Sequence, residues 1–202
     1  MANKLKLRLS RYLATHPQHQ FSYLKLLAKL KLLRALLSGP KEFTSHDGKM
    51  LFIVGSGRSG TTLLRRLLVE NLDIYIPPET YVLPEILSSH FFSPAIEWPD
   101  QVSLALSKFE YHPEFTTFQV STIREFAMEA KAWPVPKRNV GFLLTKYYDW
   151  LARQEGFTGE WHGDKTPLNT LSLGLIHKLF PEAVFVYIER DGVDVVASYL
   201  NS

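Results

Sequence analysis

The stretch Met50–Asn71 reads MLFIVGSGRSGTTLLRRLLVEN, and it decides how the rest of the chain can fold. Its first five residues are a continuous apolar run, which is typical of a strand buried on both faces. Residues 55–60 interrupt the run with three glycines, and from Thr61 the apolar residues take helical spacing. The buried face of that helix is predicted to consist of Leu63, Leu64, Leu67 and Leu68. A strand, a glycine turn and a helix in direct succession predict an anion-binding loop, because glycines admit an oxyanion and a helix start supplies unpaired N–H groups.

The residue types in the loop limit the kinds of anion that it could bind. Gly55 and Gly60 have the spacing of the phosphate-binding P-loop motif G-x-x-x-x-G, but Thr61 stands where that motif needs a lysine. This loss argues against hydrolysis of a nucleoside triphosphate. A basic residue lies instead inside the loop, at Arg58, and the sequence Ser-Gly-Thr-Thr follows it. A nucleotide or nucleoside kinase with a degenerate loop stays open as an alternative.

The sequence Arg-Ser-Gly-Thr-Thr resembles the loop with which sulfotransferases bind 3′-phosphoadenosine 5′-phosphosulfate (PAPS). The resemblance implies that PAPS is the cosubstrate. It also implies that the 5′-phosphosulfate end is bound by Arg58, Ser59, Gly60, Thr61 and Thr62. A second family motif, R-D-P-x-D-x-x-x-S, binds the 3′-phosphate, and Arg190 and Ser198 match it with Gly192 in place of the proline. Arginine suits a phosphate because its guanidinium can donate two parallel hydrogen bonds.

Glu79 matches the position of a catalytic residue in the same family. It follows two prolines just past the short apolar run 72–76, and ligands gather beyond strand ends in α/β sheets. In the glycan-modifying, Golgi-type branch of the sulfotransferases, a glutamate shortly after the loop helix is the catalytic base. The resemblance gives Glu79 that role, and the alternative is a solvated carboxylate in a turn.

Lys165 belongs to a Lys-Thr-Pro sequence at the distance where many sulfotransferases have a similar stretch. The resemblance implies that Lys165 stabilises charge on the bridging oxygen, while its position alone also allows a surface pair with Asp164 or Glu160. The cytosolic branch has a catalytic histidine where Pro167 stands, so the chain is more similar to the Golgi-type branch. His162 stays a weaker candidate for the base.

The implied reaction is transfer of a sulfuryl group from PAPS to a hydroxyl or amine that Glu79 deprotonates, without a metal. The acceptor stays open between a glycan, a lipid, a peptide and a small molecule. Residues 81–137 are rich in prolines and aromatics, which either line an acceptor pocket or form ordinary core. His90 and His112 have no partner at ligand spacing and receive no role.

The amino-acid composition limits the classes of protein to which the chain can belong. The 202 residues are 46% hydrophobic, which indicates a globular protein, and the absence of cysteine excludes disulfides, thiolate metal sites and a cysteine nucleophile. This fits a cytoplasmic location. Nine of the 23 Lys and Arg residues lie in residues 1–41, before the first acidic residue, Glu42. Acidic residues outnumber basic ones beyond that point, which argues against a nucleic-acid-binding surface on the main domain.

Residues 1–40 are predicted to form a basic helical arm. Leu26, Leu30, Leu33 and Leu37 fall on one helical face with lysines and Arg34 around it. The arm either lies on an anionic membrane surface or docks on the main domain. No apolar run approaches the roughly 20 residues of a transmembrane span, and the charges recur too often for a signal-peptide core.

Residues 49–202 are predicted to form a sulfotransferase-like α/β domain, with a P-loop-like parallel sheet between helices in three layers. We expect helices near residues 102–110, 122–131, 140–154 and 168–180, a strand at 183–188 and a last helix from Val193. No further strand follows that helix, so the C-terminal part of the fold is expected to be missing after the 3′-phosphate motif. An inactive fragment that acts as a membrane-associated binding protein is therefore the third alternative.

Overall fold

The computed structural model describes residues 49–92 and 96–201, together with scattered positions between Tyr12 and Leu33. These fall into two compact units, the first with the described arm positions and the second with the rest. In the arm, Leu26, Leu30 and Leu33 are helical and about half exposed. Leu37, Arg34 and the predicted end of the arm near residue 40 lie outside the described residues, so the domain boundaries stay predictions.

The second unit is built on a parallel sheet of four strands. The strands are β1 (Met50–Gly55), β2 (Ile74–Tyr75), β3 (Trp161–Lys165) and β4 (Val184–Ile188), in the order β2-β3-β1-β4. Gly55 pairs with Ile188 and Ile53 pairs with Lys165. The segments that follow β1, β3 and β4 therefore leave the sheet at the same edge, which is where parallel α/β sheets bind ligands.

Helices and short 3₁₀ turns fill the connections between the strands. The helices are α1 (Thr61–Asn71), α2 (Leu83–Phe92), α3 (Trp98–Glu110), α4 (Arg124–Lys131), α5 (Val140–Gln154), α6 (Leu173–Leu179) and α7 (Gly192–Leu200). The 3₁₀ turns span Pro113–Phe118, Val135–Lys137 and Pro167–Ser172. Helix α5 has the predicted bounds, and the side chain of Asn139 caps it by accepting from the N–H of Phe142 at 3.1 Å.

The sheet has a core on each face. Met50, Phe52 and Val54 of β1 belong to the larger core, together with buried residues of α2–α6. Ile53 points to the opposite face, where Leu64 and Leu68 of α1 pack against it and its neighbours. Alternate β1 residues thus bury against different helices, as expected of a central parallel strand. This arrangement confirms the predicted α/β fold, in which helices flank a parallel sheet in three layers.

The predicted buried face of α1 is wrong in part. Leu63 and Leu67 are 63% and 49% exposed, and the helix packs through Leu64, Leu68 and Val69 instead. Leu63 lies one residue, or about 100° around the helix, from Leu64, which turns it away from the sheet. Leu63 lies in the wall of the cleft described below.

Two other regions differ from the predicted elements. Residues 168–180 were expected to form one helix, but they form the 3₁₀ turn 167–172 followed by α6. Strand β3 was not separately predicted, because Gly163, Asp164 and Lys165 are poor strand formers. The glycine is needed there, since a Cβ at Gly163 would lie 2.7 Å from the carbonyl oxygen of Leu51.

Candidate active site

A cleft of about 640 Å³ opens where β1 and β4 leave the sheet. All of the predicted site residues line it except Ser59 and Lys165. The described walls consist of Gly57, Arg58, Gly60, Thr61, Thr62, Leu63, Glu79, Tyr81, Pro167, Leu168, Arg190, Ser198 and Tyr199. The structure thus brings the N-terminal loop motif, the turn after β2 and the C-terminal motif into one site.

The loop between β1 and α1 depends on glycine at its first position. Gly55 has φ of 145°, and a Cβ there would lie 2.4 Å from the carbonyl oxygen of Ile188. Gly60 precedes α1 in a left-handed conformation. The Ser59 hydroxyl donates to the carbonyl of Ser56 at 2.6 Å, and the residue is buried. This hydroxyl therefore stabilises the loop from behind rather than facing the cleft.

The two predicted cofactor motifs contact each other directly. Arg58 donates from Nε to Ser198 Oγ at 3.1 Å and from Nη2 to the Ser198 carbonyl at 3.4 Å. Arg190 donates from Nη1 to the carbonyl of Arg58 at 3.1 Å and lies 3.8 Å from Asp194. Arg58 was assigned to the 5′ end of the cosubstrate, yet its guanidinium lies beside a residue assigned to the 3′-phosphate. Both arginines border the same part of the cleft.

Lys165 forms an ion pair with Glu79, and its Nζ lies 3.3 Å from Thr62 Oγ1. The Lys165 side chain is 5% exposed, whereas that of Glu79 is 24% exposed. The ammonium group therefore lies behind the wall of the cleft and reaches it through Thr62 and Glu79. The alternative surface pair is wrong, because Glu160 pairs with Lys49 and Asp164 is fully buried.

The buried carboxylate of Asp164, which was predicted only as a possible surface partner of Lys165, supports this pair. Asp164 Oδ2 accepts hydrogen bonds of 2.6 Å from the hydroxyls of Thr80 and Tyr148, and Oδ1 accepts one of 2.7 Å from Asn169 Nδ2. Burial raises the pKa of Asp164, against the hydrogen bonds from Thr80 and Tyr148, which lower it. Sequence alone gave no signal of this network, since Thr80 and Asp164 are 84 residues apart.

Tyr81 lines the cleft, although the sequence did not predict a role for it. It has φ of 58°, and its ring stacks on His112 with centroids 5.3 Å apart. Burial raises the pKa of Tyr81, and the nearby carboxylate of Glu79 raises it further. The one available signal was its place, two residues after Glu79.

His162, the weaker candidate for the base, does not line the cleft. It is buried against α5, with Nε2 3.7 Å from Asp149 Oδ1, and it is not among the residues that line the cleft. Burial lowers the pKa of His162. The structure therefore offers no contact between His162 and the predicted cofactor residues.

The described residues contain neither a metal-binding cluster nor a helix that could span a membrane. Within residues 49–92, 96–201 and the described arm positions, no group of three or more His, Asp or Glu side chains could hold a metal ion. No helix in the same part of the chain is long and apolar enough to cross a bilayer.

The family is decided by a match along most of the chain. The family model described as the sulfotransferase family matches residues 51–202, which include every predicted site residue. This chain belongs to the sulfotransferase family. Among curated proteins, this chain is similar to a protein-tyrosine sulfotransferase of Drosophila melanogaster, with 29% identity over 160 residues. The aligned region covers 78% of this chain and 26% of the fly protein, so the chain spans about a quarter of the length of that relative.

Proposed function

We propose that the cleft binds PAPS and that the chain transfers its sulfuryl group to a hydroxyl acceptor. The observation that carries the proposal is the convergence of three distant segments on one cleft. Arg58 to Thr62 supply the loop, Glu79 supplies a carboxylate that pairs with Lys165 behind the wall, and Arg190 and Ser198 supply a second anion-binding group. A nucleotide that bears anions at both ends fits this arrangement better than a triphosphate does, because ATP has no 3′-phosphate for Arg190.

In the proposed reaction the acceptor oxygen attacks sulfur while Glu79 takes the proton from the hydroxyl. The bond between sulfur and the oxygen of the 5′-phosphate breaks, and 3′,5′-ADP leaves. Lys165 and Arg58 offset the charge that develops on the leaving oxygen. Lys165 is suited to this because it contacts both Glu79 and Thr62, so one ammonium group links the base to the donor loop. Positioning and fixed charges supply the catalysis, as in phosphoryl transfer.

The acceptor is proposed to be a hydroxyl, on a protein or a small molecule. The fly relative is named for protein tyrosine, and a peptide tyrosine is accordingly the first acceptor to try. Glycan, lipid and amine acceptors, and the similarity to the Golgi-type branch, stay predictions. Peripheral membrane contact through the arm also stays a prediction, which flotation of the full chain with anionic and neutral vesicles would test.

Calorimetry tests the proposed donor. We expect 3′,5′-ADP to bind without magnesium, and Glu79→Gln to keep that binding while it loses transfer from PAPS to a tyrosine peptide. Magnesium-dependent binding of ATP with no binding of 3′,5′-ADP would favour the kinase alternative and overturn the proposal. Full transfer by Glu79→Gln would exclude Glu79 as the base but leave the donor assignment intact.

A further inference from the structure

Tyr81 places a phenol hydroxyl inside the cleft, next to the proposed base. We propose that Tyr81 is itself a modification site, whose hydroxyl receives the sulfuryl group of PAPS when no other acceptor is present. This inference rests on the proposed function, because it needs PAPS in the cleft and Glu79 as the base. It concerns a side chain of this chain and no external acceptor.

The position of the Tyr81 side chain is built into the fold. A positive φ of 58° is costly for a bulky residue and persists only where the surroundings enforce it. Here the Thr166 hydroxyl accepts from the N–H of Thr80 at 3.0 Å and from that of Tyr81 at 3.5 Å. The ring lies nearly parallel to that of His112, with an angle of 14° between the planes. Backbone and ring are thus both held in the wall of the cleft that Tyr81 shares with Glu79.

The contact with Glu79 gives the hydroxyl the partner that an acceptor requires. A general base must lie close to the proton that it removes. Tyr81 and Glu79 line the same cleft, and the Glu79 carboxylate lies near enough to raise the pKa of the phenol. Burial and the same carboxylate raise the pKa of Tyr81, so its proton stays on the phenol until it is transferred. Tyr81 and Glu79 line the cleft together with Arg58 and Thr62 of the loop. The phenol therefore shares one cleft with the base and with the proposed donor loop.

The proposed step is balanced without a further reagent. Tyr81 Oη forms a bond to sulfur, the bond from sulfur to the 5′-phosphate oxygen breaks, and the phenol proton passes to Glu79. The products are a tyrosine O-sulfate at Tyr81 and 3′,5′-ADP. The modified side chain would add a negative charge beside Glu79 and occupy the entrance for an acceptor hydroxyl.

Other tyrosines provide internal controls. Tyr111 is 84% exposed, and it lines a separate pocket that also includes His112. Tyr199 lines the same cleft as Tyr81, but its hydroxyl lies against Gly57, where it is 2.1 Å from the place of a Cβ. Accessibility alone predicts modification of Tyr111, whereas proximity to Glu79 predicts modification of Tyr81.

The test incubates the full chain with ³⁵S-labelled PAPS, with no acceptor added, and locates the label by peptide mass spectrometry. We expect label on Tyr81, at most one per chain, with a rate per chain that does not change with protein concentration. Tyr81→Phe should abolish the label and Tyr111→Phe should keep it. Glu79→Gln should slow labelling about 100-fold or more, the usual range for loss of a general base, and still bind 3′,5′-ADP.

Several results would overturn the inference. One is a chain that binds 3′,5′-ADP but carries no label on Tyr81, whether or not it labels an added tyrosine peptide. Another is label spread over exposed tyrosines at a rate that rises with protein concentration. Failure of the chain to bind 3′,5′-ADP would overturn the proposed function itself, and the inference with it. Wild-type mass spectrometry decides these cases even where a variant fails to fold.

Discussion

The hydroxyl of Thr80 donates a 2.6 Å hydrogen bond to the buried carboxylate of Asp164. Thr80 directly follows Glu79 in the chain, and Asp164 directly precedes Lys165. The bond therefore joins the neighbours of the two residues that form the ion pair in the cleft. A second bond, from the N–H of Thr80 to Thr166 Oγ1, ties the same turn to the other side of Lys165. We infer that these buried bonds, more than the ion pair, fix where Glu79 lies.

Thr80→Val should destabilise the fold by about 1–3 kcal/mol, because it removes a donor from a buried carboxylate while it keeps the shape of the side chain. Thr80→Ser is the matched control, since it keeps the hydroxyl and loses about one methyl group, or roughly 0.8 kcal/mol. Urea unfolding measures both free energies. Equal losses in the two variants would show that the hydrogen bond contributes little.

Asp164 should make the stability depend on pH in a defined direction. Burial raises the pKa of Asp164 above its ordinary 3.8, so the folded chain holds the proton more tightly than the unfolded chain does. Its contribution to the free energy of unfolding is thus fully present below that ordinary value and is lost as the pH rises through the folded pKa. The Asp164→Asn variant has no titratable group at this position, so it serves as the reference. The stability of the wild type relative to this variant should fall as the pH rises from about 4, and a constant difference in urea unfolding would contradict the assignment.

The residues of the site differ in how far the sequence could predict them. Arg58, Thr62, Arg190 and Ser198 stand in short motifs whose spacing is local, and the order of strand, loop and helix already implies their approach to one edge of the sheet. Asp164 shows no such signal, because its partners come from a turn and a helix that only the fold brings together.

The helices and strands also differ in how far the sequence could predict them. Helix α5 could be predicted because its apolar residues repeat with helical period and Asn139 caps it. Strand β3 could not, because its polar residues are paired by Thr80, Tyr148 and Glu79 rather than by any pattern within the strand. The exposed face of α1 could not be predicted either, because it depends on which side of the helix packs on the sheet. Leu63 was expected to be buried there, but it lines the cleft.

Gly55→Ala should be strongly destabilising. The new Cβ would lie 2.4 Å from the Ile188 carbonyl, which is backbone and cannot turn aside, and the φ of 145° is unfavourable for alanine. Gly174 is the matched control, since it lies in α6 with no atom within 4 Å of a Cβ. Gly174→Ala should stabilise the fold by about 0.5–1 kcal/mol. Thermal unfolding tests both, and a mild effect of Gly55→Ala would mean that β4 moves away from the loop.

Arg190→Ala should weaken binding of 3′,5′-ADP by about 10- to 100-fold, because it removes a charged donor to the 3′-phosphate. Arg190 also donates to the carbonyl of Arg58, so a loss of affinity could instead arise from a rearranged loop. 5′-AMP separates the two causes, since it lacks the 3′-phosphate but needs the same loop. Its affinity should be unchanged in Arg190→Ala if the arginine acts on the phosphate directly. The control is Arg153→Ala, which removes a 70% exposed side chain on α5 that pairs with Asp149 and should leave both affinities unchanged. If calorimetry shows equal losses of affinity for the two nucleotides, Arg190 supports the loop and does not bind the 3′-phosphate.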